Sequence, residues 1–167
     1  MRRTVLVAAT TALLALSSIV RAADAPIGIA AEVPYHDGVG SESIRTQCTF
    51  GKDITDSIVR QARGQVVVVN GDQPATGKQL DVVITQVHAT GSVASGPKWG
   101  RIYVELKENG RLVGNTSFQR LSVGRVFTFK TCTSLTQIAD ALGKDVAEWL
   151  RQPTLNPGVN ADTQPEN

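Results

Sequence analysis

The stretch RIYVELKENGRLVGNTSF, residues 101–118, contains two alternating segments joined by an Asn-Gly turn. Successive side chains of a strand point to opposite faces, so Ile102, Val104 and Leu106 share one face. The opposite face of the same segment carries Arg101, Tyr103, Glu105 and Lys107. This alternation predicts an antiparallel hairpin that buries its apolar face and presents its polar face to solvent or to a partner.

The apolar pattern also selects a register for this hairpin. A two-residue Asn-Gly loop would place Leu106 opposite Val113, which mixes polar and apolar side chains on one face. A three-residue loop with Gly110 in the left-handed conformation pairs Leu106 with Leu112 and keeps Phe118 on the apolar face. We therefore predict a three-residue turn with a glycine bulge.

Segments on both sides of the hairpin indicate the remaining elements. Runs rich in β-branched residues predict strands over 65–70, 80–88 and 125–130, with a possible extra strand over 41–47. Apolar residues at helical spacing predict one helix over Thr49–Arg63 and a second over Thr133–Arg151. This order predicts an α+β fold, a mainly antiparallel four- to five-stranded sheet with two helices packed on one face. Gly143, inside the second helix, suggests close packing on that sheet.

The first 22 residues have the pattern of a secretory signal peptide. Arg2 and Arg3 precede an apolar segment over 5–16, which is too short to span a bilayer. Val20 and Ala22 suit the positions before a cleavage site, so we expect the mature chain to begin at Ala23. Export predicts a periplasmic or secreted protein. Since no cysteine precedes Cys48, we expect no stable membrane anchor.

Removal of this leader changes the charge of the protein. The whole chain has a formal charge of +2, and three arginines but no acidic residue lie within 1–22. The mature chain is therefore close to neutral, at −1, and contains no run of three basic residues. These features argue against nucleic-acid binding, which depends on a basic patch.

Composition divides the mature chain into three parts. Residues 23–40 contain prolines and glycines with little periodicity, and we expect an extended leader arm there. Residues 41–151 form the single predicted α+β domain. Residues 152–167 contain three prolines and few large apolar side chains, which predicts a disordered tail.

The two cysteines, Cys48 and Cys132, each precede a predicted helix. If the two helices run parallel on the sheet, their N-termini are neighbours and a disulfide between these cysteines is geometrically natural. Export to an oxidising compartment favours this bond over two free thiols. The chain has no Cys-x-x-Cys motif, which argues against a redox pair.

Motifs for catalysis and for cofactors are weak. His36 and His88 are far apart in sequence and supply no zinc-ligand spacing. Ser95 lies outside any Gly-x-Ser-x-Gly motif, although a small periplasmic hydrolase stays as a remote alternative. Residues 71–78 resemble a phosphate loop, but Gln79 replaces the required Ser or Thr. We expect no enzyme activity, no metal and no cofactor.

The segment Ala89–Gly100 is the best sequence candidate for a binding site. It is longer than a hairpin loop needs to be, and it ends with Pro97, Lys98 and Trp99. A tryptophan beside a loop is a frequent binding anchor, although Trp99 packed on the sheet edge is an equally simple interpretation. Tyr103, on the polar strand face, could extend the same surface.

The order of helix, antiparallel strands and C-terminal amphipathic helix resembles small envelope α/β modules. These modules are the periplasmic domains of the curli-secretion lipoprotein family and of penicillin-binding-protein activator lipoproteins. The resemblance covers residues 41–151 and rests on Thr49–Arg63, the strands and Thr133–Arg151. It implies a non-catalytic role in the bacterial cell envelope, with a protein or an envelope component as the partner. An inhibitor of a secreted or host hydrolase is the alternative.

Overall fold

The computed structural model describes residues 25–70, 77–89, 97–122 and 131–162. The elements of these residues are, in chain order, β1 Ile27–Ala30, α1 Glu42–Gln47, α2 Phe50–Gln61, β2 Val66–Val69, β3 Lys78–His88, β4 Lys98–Glu108, β5 Arg111–Ser122 and α3 Thr131–Trp149.

The described strands form a five-stranded mixed sheet in the order β2-β1-β3-β4-β5. β1 pairs in parallel with β2 and β3, whereas β3, β4 and β5 pair antiparallel. Leu80, Ile84 and Ile102, on one face, are fully buried beneath α2 and α3. The predicted α+β fold is therefore confirmed, including the placement of both long helices on one face.

The hairpin between β4 and β5 has a different turn from the predicted one. Asn109 and Gly110 form a two-residue turn, with φ values of 51° and 77°, which suits an Asn-Gly pair. A bulge in β5 then shifts the pairing, so that Leu106 lies opposite Gly114 and Ile102 opposite Phe118. The predicted three-residue loop is wrong. The predicted apolar face is nevertheless correct, because the bulge shifts the pairing by one residue and so places Phe118 on the same face as Ile102.

The helices α2 and α3 run parallel and are joined at their N-terminal ends. Cys48 and Cys132 form the predicted disulfide, with a Cα–Cα distance of 5.2 Å. Further along, Thr136 donates a hydrogen bond to Asp53 at 2.7 Å. Because disulfides form and persist in oxidising compartments, this bond agrees with export.

Gly143 marks the closest approach of these two helices. A Cβ built on Gly143 would lie 2.5 Å from the Cβ of Ser57 and 2.8 Å from its main-chain carbonyl carbon. The glycine thus permits close packing against α2, not against the sheet as the sequence suggested.

The helix bounds differ from the predicted ones by a few residues. The first long helix ends at Gln61 instead of Arg63. The last helix begins at Thr131, so Cys132 lies in its first turn and not before it. Helix ends depend on individual hydrogen bonds, which periodicity does not reveal.

The N-terminal part of the predicted leader arm belongs to the sheet. Residues 27–30 form β1, which lies between two other strands, and Ile29 is 1% exposed. Tyr35 forms a further bridge with Ile84. The prediction of an arm over 23–40 is therefore wrong for these residues, and the folded part begins before residue 41.

The possible extra strand over 41–47 is a helix, α1. The Ser41 hydroxyl accepts a hydrogen bond from the main-chain N–H of Ile44, as expected of an N-cap. Ile44 is buried in the core, which fixes the helix against the rest of the domain.

Residues 152–162 of the predicted disordered tail are ordered. Asn115 is 4% exposed, and its main-chain N–H donates a hydrogen bond to the Thr154 carbonyl at 2.9 Å. The side-chain oxygen of Asn115 accepts from the Asn156 N–H at 2.7 Å. The tail prediction is therefore wrong up to residue 162, because a buried amide in β5 supplies its hydrogen bonds.

Several predictions lie outside the described residues. They are the signal peptide over 1–22, the strand over 125–130, most of the loop between β3 and β4, including Ser95, and the last residues of the tail, 163–167.

Candidate functional site

The sheet face opposite the helices contains a cleft of about 410 Å³. We call it the open-face cleft. Eight of its twelve lining residues are apolar, and Ala30, Pro34, Val83 and Ala161 are among them. The four polar lining residues are Asp81, Tyr103, Glu105 and Lys107. The cleft combines an apolar floor with a small polar group at one side.

The polar group is held together by Lys107. Asp81 and Glu105 lie directly opposite each other on β3 and β4, an arrangement that is unfavourable for like charges. The Lys107 ammonium bridges them, at 2.8 Å from Asp81 and 2.9 Å from Glu105. The Tyr103 hydroxyl donates to the other Glu105 oxygen at 2.9 Å.

This arrangement shifts two pKa values upward. The hydrogen bonds that Lys107 donates to Asp81 and Glu105 raise the pKa of its ammonium to about 12. Burial raises the pKa of Tyr103, and the Glu105 acceptor adds to that shift. Both groups therefore remain protonated at neutral pH.

The Lys107 bridge predicts a pH-dependent contribution to stability. Its folded-state pKa of about 12 exceeds the ordinary value of 10.5, so the contribution is complete below pH 10.5. It is lost as the pH rises towards 12. We expect Lys107→Met to lower the free energy of unfolding by about 1 kcal/mol at pH 8, a value reduced for partial exposure.

Urea unfolding of the wild type and of Lys107→Met between pH 8 and 12 measures this difference. The difference should shrink above pH 10.5. The exposed Lys144→Met on α3 is the matched control and should change little at any pH. A difference that stays constant up to pH 12 would contradict the bridge.

The ordered C-terminal segment, residues 153–162, forms one side of the cleft. The Asn115 side chain donates to the Val159 carbonyl at 2.7 Å, which brings the segment over the open face. Ala161 then lines the cleft, and Asp162 lies 3.2 Å from the His36 imidazole. The cleft therefore depends on both ends of the described chain.

The predicted binding residues do not form one site. Tyr103 lines the cleft and is 6% exposed. Trp99 shares its strand face but lies four residues away, about 13 Å along the strand. Its indole stacks on His88, with ring centroids 5.9 Å apart. Lys98 begins β4 and Pro97 precedes it, and neither lines the cleft.

Sequence reasoning placed Glu105 and Lys107 on the polar face but did not identify the cleft. Arg101 lies on that face too, beyond Tyr103 and outside the cleft lining. Asp81 was the available signal, because a carboxylate within a run of β-branched residues indicates a strand with one polar face. Ala161 had no such signal, since its position depends on the fold of the tail.

Two further properties concern the described residues alone. In residues 25–70, 77–89, 97–122 and 131–162, no group of three or more His, Cys, Asp or Glu side chains is placed to hold a metal ion. Within the same ranges, no helix has the length and hydropathy needed to cross a membrane.

Comparison with known proteins shows similarity of fold. No protein-family model matches the sequence, and no curated protein matches it. Protein XCC0632 from Xanthomonas campestris, of family DUF330, aligns with a TM-score of 0.52 at 11% identity, over 77% of this chain and 84% of its own. This level of identity establishes a shared fold alone.

Other solved structures match more loosely, with TM-scores below 0.5. The PelC dodecamer from Paraburkholderia phytofirmans aligns with a TM-score of 0.48 at 14% identity, over 74% of this chain and 86% of its own. A minor lipoprotein from Acinetobacter baumannii aligns with a TM-score of 0.41 at 9% identity, over 81% of this chain and all of its own.

Proposed function

We propose that this protein is an exported, non-catalytic binding protein of the bacterial cell envelope, and that its ligand occupies the open-face cleft. The cleft itself carries the proposal. Ligand sites are typically concave, of about 300–1,000 Å³, mostly apolar and equipped with a few convergent polar groups. The cleft has these properties, with a volume of about 410 Å³.

Two observations support export. The first 22 residues have the charge and apolar pattern of a signal peptide. The Cys48–Cys132 disulfide is a bond typical of oxidising compartments. A periplasmic or secreted protein with a ligand cleft suits a role in carrying or sensing an envelope component.

Lys107 and Tyr103 do not have the pKa values of a general acid or base at neutral pH. General acids and bases work best when their pKa lies near the operating pH. The pKa of Lys107 is raised to about 12 and that of Tyr103 is also raised, away from neutrality. Each of these side chains is held by a hydrogen bond to Glu105.

A neutral apolar dye tests whether the cleft binds ligands. We expect 1-N-phenylnaphthylamine to fluoresce on addition of the wild-type protein, and Val83→Trp to reduce its affinity at least tenfold by filling the cleft. The fold should accept this change, because Val83 is a half-buried strand residue and strands favour aromatic side chains.

Val67→Trp is the matched control. It makes the same substitution at an exposed position of the edge strand β2, outside the cleft, and should leave dye affinity unchanged. Equal affinity of the wild type and Val83→Trp, with both variants folded by circular dichroism, would overturn the proposed site.

A further inference from the structure

We infer that the ligand of the open-face cleft is a small amphiphile with an apolar chain and a cationic head group. This inference rests on the proposed function and adds the chemical class of the ligand. It depends on three charged side chains that share one side of an apolar cleft, Asp81, Glu105 and Lys107.

The apolar part of the ligand follows from the lining. The apolar lining residues that are not buried in the core are Ala30, Pro34, Val83 and Ala161. Burial of apolar surface is favourable in proportion to its area, so an alkyl or similar chain gains most from this floor. A strongly polar ligand would leave its own polar groups without partners there.

The charge of the head group follows from the polar side of the cleft. Asp81 and Glu105 contribute two negative charges and Lys107 one positive charge, so the group carries a net charge of −1. The ammonium of Lys107 already donates to both carboxylates, at 2.8 and 2.9 Å. An anionic head group would have to compete with both carboxylates for this ammonium.

The carboxylates retain capacity for a second cation. Each carboxylate has about four acceptor positions. Asp81 accepts from Gln79 and Lys107, and Glu105 accepts from Tyr103 and Lys107. A ligand ammonium can therefore bind to the remaining acceptor positions without displacing Lys107.

Three probes with the same alkyl chain distinguish the head groups. Decylamine, decan-1-ol and decanoate are titrated into the mature protein at pH 7 by calorimetry, below their critical micelle concentrations. We expect decylamine to bind tightest and decanoate weakest. Glu105→Gln should weaken decylamine about fivefold relative to decan-1-ol, since only the charged head loses an opposite charge.

Lys107→Met supplies a change in the opposite direction. It removes a positive charge beside the head group, so it should tighten decylamine binding relative to that of decan-1-ol. Glu42→Gln is the control for loss of one acidic charge, because Glu42 is an exposed residue of α1 outside the cleft. It should leave the binding of all three probes unchanged.

The outcomes separate this inference from the proposed function. If decan-1-ol or decanoate binds as tightly as decylamine and Val83→Trp abolishes that binding, the cleft is a ligand site but the cationic class is wrong. If none of the probes binds, and the neutral dye also fails, the proposed function fails as well. A decylamine affinity that Glu105→Gln leaves unchanged overturns the inference.

Discussion

Gly143→Val will lower the free energy of unfolding by about 3 kcal/mol or more. The Cβ of any residue at this position would lie 2.8 Å from the main-chain carbonyl carbon of Ser57, on the neighbouring helix. Main-chain atoms cannot rotate away, so α2 and α3 would have to separate. Overpacking of this kind typically costs about 1–3 kcal/mol, and the branched side chain adds further contacts.

Chemical denaturation monitored by circular dichroism measures this loss. Gln137→Val is the matched control, because it places the same residue at an exposed position of α3. It should cost about 0.5 kcal/mol, the difference in helix propensity. A similar loss for both variants would show that the helices do not approach closely at Gly143.

A double-mutant cycle tests the contact with Ser57 directly. Ser57→Gly removes the Cβ and the hydroxyl that an alanine at 143 would meet. The combination of Ser57→Gly with Gly143→Ala should therefore be more stable than the sum of the single changes predicts, by about 0.5–3 kcal/mol. Strict additivity would contradict the packing described for these helices.

The second large effect concerns the disulfide. We expect Cys48→Ala combined with Cys132→Ala to lower the free energy of unfolding by about 4 kcal/mol. The bond closes a sequence separation of 84 residues, and the chain-entropy model assigns a stabilisation of this size to such a loop. The bond also holds the N-terminal ends of α2 and α3 together.

Reductant provides the control for this prediction. Dithiothreitol should lower the thermal midpoint of the wild type and leave that of the double variant unchanged. Mass spectrometry of protein isolated from the periplasm should find no alkylatable thiol under non-reducing conditions. Two alkylatable thiols in the native protein would contradict the bond.

The regular elements were accessible from the sequence because their signals are local. The alternation in 101–118 indicated the hairpin and its faces, and the apolar spacing after Thr133 indicated the last helix. The predicted face is correct although the predicted turn is wrong. Side chains change face only when the strand pairing shifts by an odd number of residues. The register depended on a bulge near Val113, which the pattern does not mark.

The elements that sequence reasoning missed take their structure from distant partners. β1 is only four residues long and contains Gly28 and Ala30, which are weak strand formers. It is a strand because β2 and β3 pair with it on both sides. The tail up to Asp162 has little apolar surface, and it is ordered through its hydrogen bonds to Asn115.

The sequence by itself thus determined the α+β class, the apolar face of the sheet, the two long helices and the cysteine pair. These properties follow from periodicity and from the position of residues within single elements. The tertiary structure decided the place of β1 inside the sheet, the turn register, the approach at Gly143 and the open-face cleft. Each of these depends on contacts between residues far apart in the chain. A pattern read along the chain does not contain those contacts.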